Sequence, residues 1–152
     1  MSKIQSDAEF RAALAGLSIQ QQRAVGRLFI ESVIDLSDDP AVRKALEHLG
    51  NAELSSGDLA EVFHRAKAAA IGSYTLCGRE GDWKQQAGHF VAAAVAACLS
   101  PEDQVRCADL AWSTAMNARM ARVCESVADG CGTEECETEK QYEILNNYLA
   151  TL

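Results

Sequence analysis

Glu61 and His64 stand three residues apart, so a helix would carry a carboxylate and an imidazole on one face. That pairing is one arm of a metal site. Helical-bundle dimetal centres use two such pairs, plus a glutamate from each of two further helices. The chain offers only one. The nearest second candidate, Gln86-x-x-His89, has an amide where a bridging carboxylate is needed. Glu61, His64 and His89 are therefore an incomplete ligand set, and the plainer reading is a histidine beside a surface acid. Cys124, Cys131 and Cys136 would supply three thiolates, but structural zinc takes four ligands, often from paired C-x-x-C turns, and neither spacing fits. No Ser/His/Asp or Cys/His arrangement can be singled out around His48, His64 and His89. No glycine-rich loop leads into Lys-Ser or Lys-Thr. We assign no catalytic residue, no metal and no cofactor from these patterns. The chain reads as non-enzymatic rather than enzymatic; the alternative is a helical-bundle metal-binding protein or enzyme using Glu61, His64 and His89.

The elements that would position these groups are all helical. Ser6-x-x-Glu9 and Ser18-x-x-Gln21 are capping boxes, each opening a helix, with Gly16 closing the first. The second helix carries Val25, Leu28, Phe29, Val33 and Leu36 on its apolar side. Asp39 is the expected N-cap of a third helix, with Pro40 as its first residue and Val42, Ala45, Leu46 and Leu49 inward. A fourth is expected from about 58 toward 77, with Leu59, Val62, Phe63, Ala66, Ala70 and Tyr74 on one face.

The fifth, from Asp82 to about Leu99, is unusual. Ala87-Gly88-His89-Phe90-Val91-Ala92-Ala93-Ala94-Val95-Ala96-Ala97-Cys98 is nearly all small side chains, which suits a central helix that neighbours approach closely. His89 is expected to be a packed, hydrogen-bonded core residue there. A sixth helix is expected over about 101–128, its inner side traced by Val105, Ala108, Ala111 or Trp112, Ala115 or Met116, Arg119 and Val123. A seventh follows Thr133, with Ile144, Leu145, Tyr148 and Leu149 inward. No segment alternates with period two. The expected fold is a single all-α domain over 1–152, a bundle of about seven helices built from antiparallel hairpins.

The totals agree with that reading. A chain of 152 residues, 48% hydrophobic and 24% charged, is long enough to bury a real core. The N-terminus lacks the apolar stretch of a signal peptide. The longest apolar run, Phe90 to Leu99, is about half the ~20 residues a spanning helix needs. A cytoplasmic protein with mostly reduced thiols and no membrane partner is expected.

The net charge of −8 argues against nucleic-acid binding, which calls for a basic face. Residues 101–152 hold four basic and ten acidic side chains. Glu134, Glu135, Glu137, Glu139 and Glu143 form the densest acidic stretch, opposed only by Lys140, and are the candidate contacts for a basic protein partner. Such a surface would speed association by electrostatic steering. The plainer alternative is a solvated helix end whose acids favour the helix dipole. A homodimer is compatible with either.

Two resemblances bear on function. Arg43-x-x-x-x-His48 resembles the arginine–histidine pattern of the helical HEPN ribonucleases, where the pair serves acid/base chemistry and phosphate contact. Here the pair falls early, on a short helix, and Lys44 follows the arginine where those enzymes usually have Asn, Asp or His. A solvated charged face accounts for it equally.

The second resemblance lies in segment order. Asp38-Asp39-Pro40-Ala41-Val42-Arg43-Lys44-Ala45-Leu46-Glu47, Glu53-Leu54-Ser55-Ser56-Gly57-Asp58-Leu59, Ala87-Gly88-His89-Phe90-Val91-Ala92-Ala93 and Glu139-Lys140-Gln141-Tyr142-Glu143-Ile144-Leu145-Asn146-Asn147-Tyr148-Leu149 occur in sequence. Together, over about 38–149, they resemble the immunity-protein-five family of bacterial toxin–immunity systems. The resemblance implies a non-enzymatic protein that binds and neutralises a cognate toxin by occluding its surface.

Overall fold

In the computed structural model, residues 3–49, 61–68, 83–100, 109–129 and 134–152 are described; the side chains of 84, 127–129 and 134–136 are not. All regular structure among the described residues is helical: α1 (Asp7–Ala15), α2 (Ile19–Glu31), a 3-10 turn (Ile34–Leu36), α3 (Pro40–Leu49), α4 (helical over 61–68), α5 (Trp83–Leu99), α6 (Leu110–Asp129) and α7 (Glu134–Ala150). The protein is an all-α bundle.

The expected start residues cap their helices, but only the second capping box closes as read; at the first, Glu9 reaches past Ser6 to the Gln5 N–H. The Ser6 hydroxyl accepts from the Glu9 N–H at 3.3 Å, while the Glu9 carboxylate accepts from the Gln5 N–H at 2.9 Å. Ser18 and Gln21 close a reciprocal capping box, at 3.1 and 3.0 Å. The Asp39 carboxylate accepts from the Ala41 N–H at 2.9 Å, and its carbonyl accepts from Arg43 N–H at 3.3 Å, which places it at the head of α3.

Two boundaries differ from expectation. The second helix stops at Glu31 and does not run on to Leu36. Ser32 keeps helical backbone angles (φ −65°, ψ −24°) and its carbonyl accepts from Arg122 Nη2 at 2.7 Å; the chain departs from the helix at Val33 (φ −122°, ψ 5°) and tightens into the 3-10 turn. Val33 is nevertheless fully buried. The sixth helix begins at Leu110, with Asp109 outside it, so it is not continuous through 109 as expected; the expected start at Pro101 lies outside the described residues. The Asp109 carbonyl accepts from Ser113 N–H at 2.8 Å, closing the first turn. The expected continuation of α4 toward Cys77, the turn at Gly78–Asp82, and Cys77, Cys107 and Cys131 lie outside the described residues.

Packing divides into two apolar clusters. The first joins Ile30 of α2 and Val33 just after it, Val42 and Ala45 of α3, Val62, Phe63 and Ala66 of α4, one side of α5, and Leu110, Ala118 and Ala121 of α6. The second joins Ile4, Phe10 and Leu14 at the N-terminal end, Val25 and Phe29 of α2, Ala111 and Ala115 of α6, and Leu145 of α7. Residues from α2 and α6 occur in both clusters, so these two helices are a wall between two cores.

Helices α5 and α6 make the most extensive pairing, as their small side chains permit. Where α2 crosses them, a Cβ on Gly26 would lie 2.9 Å from Cys98 Sγ and 3.4 Å from Thr114 Cγ2. Only glycine fits that crossing without displacement. Helix α2 also satisfies backbone groups at the ends of its two neighbours. Arg23 Nη2 donates to the Ser100 carbonyl, 2.6 Å, just past α5. The buried Gln22 amide accepts from Ala111 N–H, 3.2 Å, in the first turn of α6, and donates to the Leu17 carbonyl at 3.1 Å.

His89 is not a core residue as expected. It is part-buried, its ring inclined at 62° to that of Phe90 with the centroids 5.2 Å apart.

Candidate partner-binding surface

Helix α7 carries the acidic stretch, and its geometry separates the acids by role. Its buried stripe is Glu137, Gln141 and Leu145, at a spacing of four. Two of these three are polar, and each is matched by an arginine on α6. Glu137 is only 2% exposed. It accepts from Arg122 Nε at 3.3 Å and from the Ser32 hydroxyl at 2.8 Å. Gln141 accepts from Arg119 Nε at 2.7 Å and donates to the Ala115 carbonyl at 2.9 Å. A buried carboxylate with no such partners would be very costly.

This corrects one expected contact. Glu137 faces the bundle and cannot meet a partner at the surface. Glu139 and Glu143 are exposed, one turn apart, with Lys140 exposed between them. Glu134 and Glu135 fall in the first turn of α7, but their side chains lie outside the described residues, as does that of Cys136.

Arg122 meets three carboxylates: Glu125 at 2.8 Å, Glu137 at 3.3 Å and Asp35 at 3.7 Å. Burial opposes its charge, but the Glu125 hydrogen bond and the three negative charges outweigh burial and raise its pKa. Arg119 bridges to Asp7 at 2.9 Å. The Tyr142 hydroxyl donates to the same Asp7 carboxylate at 2.7 Å. That bond, with Arg119 beside it and against an opposing effect of burial, holds Asp7 below the usual carboxylate range. Burial and the Asp7 bond push the Tyr142 phenol up.

Beside the exposed acids, the extended N-terminal segment lies against α7, with the Ile4 N–H donating to Asn146 Oδ1 at 3.1 Å. Between segment and helix is an open groove of about 500 Å³, lined by Lys3, Ile4, Gln5, Glu139, Tyr142, Glu143, Asn146 and Asn147. Its exposed carboxylates suit arginine or lysine side chains, and its amides can both donate and accept hydrogen bonds.

Neither the family models, the curated proteins nor the solved structures contain a match to this chain. The geometry of the molecule itself therefore carries the functional reading.

The other candidate groups are placed elsewhere. Glu61 is exposed and pairs with Arg65 at 2.6 Å; His64 is exposed on α4, near Phe63. The structure does not gather Glu61, His64 and His89, and among the described residues no three His, Cys, Asp or Glu side chains are grouped to hold a metal. Arg43 donates to the Ser37 carbonyl at 3.0 Å, and His48 sits in the last turn of α3. Cys124 is buried. Cys98 is fully buried, and desolvation pushes its thiol up to about 12, so it remains protonated at neutral pH. No helix among the described residues is long and apolar enough to cross a membrane.

The sequence pointed Arg119 inward, and its side chain is 13% exposed. The buried arrangement of Arg122, Glu137, Ser32 and Gln141 was missed. A signal for it existed: Glu137, Gln141 and Leu145 fall on one stripe of α7, in line with the inward Tyr148 and Leu149.

Proposed function

We propose that this chain is a non-enzymatic binding protein, an immunity protein that neutralises a cognate bacterial toxin by occluding its surface. The observation that carries the reading is the exposed pair Glu139 and Glu143 on the rim of the groove between α7 and the N-terminal segment. Two carboxylates one helical turn apart complement a basic patch on a partner, and the flanking amides of Gln5, Asn146 and Asn147 add hydrogen-bonding capacity. Glu137 supports this indirectly: its pairing with Arg122 anchors the first turns of the helix that presents them. The order of segments resembling the immunity-protein-five family supports the same reading, and a cytoplasmic site of action follows from it.

The test is co-expression with the product of the neighbouring gene. The native chain should co-purify with that product and protect a host from its toxicity. The double charge reversal Glu139→Lys/Glu143→Lys should abolish both while leaving the fold intact by circular dichroism. Protection that survives the reversal would remove this surface from the reading. Failure of the native chain to bind or protect against any neighbouring toxin would remove the reading itself.

A further inference from the structure

The second apolar cluster packs α1, the segment before it and α7 against α2 and α6, and the polar contacts around it tie α1 and α7 to each other. Tyr142 of α7 donates to Asp7 of α1 at 2.7 Å, and Asn146 of α7 accepts from the Ile4 N–H at 3.1 Å. The Phe10 and Tyr142 ring centroids are 5.4 Å apart. Arg119 touches both partners: it bonds to Asp7 and Gln141, and its guanidinium lies 5.3 Å from the Phe10 ring centre and 5.8 Å from that of Tyr142.

We infer that α1, with the segment before it, and α7 form a single clasp that opens cooperatively from the α2–α6 wall while the first core stays folded. Two features carry this. The wholly buried apolar side chains of α1 and α7, Phe10, Leu14 and Leu145, all belong to the second cluster and none to the first, and undocking also returns two buried polar groups of α7, Glu137 and Gln141, to water. Helix α5, in contrast, buries Val91, Val95, Cys98 and Leu99 completely. Cooperativity follows from Arg119. When either α1 or α7 leaves, Arg119 loses part of the pairing that offsets its burial, which weakens its hold on the other. Local openings of this kind are cooperative units with free energies below that of global unfolding. The opening is a property of the free chain and does not depend on any partner.

Hydrogen exchange of the full chain, read by mass spectrometry at increasing sub-denaturing urea, tests it with two variants. In the native chain, α1 and α7 peptides should exchange through one opening with a common urea dependence, faster than α5. Tyr142→Phe, a nearly isosteric change that removes the bond to Asp7, should speed α1 and α7 by the same factor, about fivefold. Val95→Ala, in the first core, should speed α5 exchange by roughly tenfold or more and leave α1 and α7 unchanged. If Val95→Ala also speeds α1 and α7, they open only with the whole molecule and the inference is overturned. A Tyr142→Phe effect confined to α7 overturns the coupling of the two ends, and α7 exchange as slow as that of α5 overturns the clasp.

Discussion

Removing the Glu137 side chain tests whether α7 is held by buried charge. Glu137→Ala deletes both carboxylate bonds, from Arg122 Nε at 3.3 Å and from the Ser32 hydroxyl at 2.8 Å. Breaking a buried ion pair by deleting one partner costs about 3–5 kcal/mol when the other charge is stranded. Arg122 is not stranded here, because Glu125, Asp35 and the Ser32 carbonyl remain in reach. The expected loss is therefore at or below the low end, about 2–3 kcal/mol, which in a domain of this size lowers Tm by roughly 4–12 °C. Glu125→Ala is the matched control. It also removes a carboxylate from Arg122, but Glu125 is more exposed, at 26% of its side chain, and its deletion should cost about 1 kcal/mol or less. Glu137→Gln, which keeps an acceptor for Ser32, should fall between the two. Urea unfolding with m-values compared across the set gives the ranking. Equal losses for Glu137→Ala and Glu125→Ala would refute the argument from burial, as would a Glu137→Ala loss under about 0.5 kcal/mol, the level of an ordinary surface change.

Gly26→Ala should destabilise by about 1–2 kcal/mol, since overpacking against Cys98 and Thr114 outweighs the better helix propensity of alanine; adding Cys98→Ala should recover most of the loss, and simple additivity in a double-mutant cycle would contradict the steric cause. Cys98 should resist a thiol-specific disulfide reagent at pH 8 in the native protein and react fully in urea, as followed by peptide mass spectrometry; fast native labelling would contradict its burial and raised pKa. The Asp7–Tyr142 bond should add stability between two pH limits. Asp7 has a lowered folded pKa, so its contribution is present above the unfolded value of about 3.9 and lost as pH falls through the folded one. Tyr142 has a raised folded pKa, so its contribution is present below about 10 and lost as pH rises through the folded value. Asp7→Asn should flatten the acid limb of a stability–pH curve, and an unchanged limb would show that the bond is not formed in solution.

Most helix boundaries could be read from the sequence because they are set by local chemistry. Ser6, Ser18 and Asp39 each satisfy an orphan N–H with their own side chains, a contact that depends on residues two or three positions away. The boundaries that escaped depend on distant partners. Helix α2 ends where Arg122, ninety residues on, takes the Ser32 carbonyl. For the same reason the acidic stretch looked like one surface. Spacing puts Glu139 and Glu143 on a common face one turn apart, yet only the docking of α7 onto Arg119 and Arg122 decides that Glu137 points inward. His89 erred the other way: a small-residue helix invites the assumption that every position on it is core, whereas α5 leaves Gly88, His89 and Phe90 part-buried.

The position of α2 and α6 between two cores constrains how this protein can diverge. A helix beside one core keeps an outer face free to vary, but α6 gives Leu110, Ala118 and Ala121 to one core, Ala111 and Ala115 to the other, and Arg119 and Arg122 to the seam with α7. Few positions on it can change size or polarity without a compensating change elsewhere. New binding specificity is therefore cheapest to acquire on the outward faces of α1, α3 and α7, and a library randomised there should yield far more folded variants than one of equal size on α6.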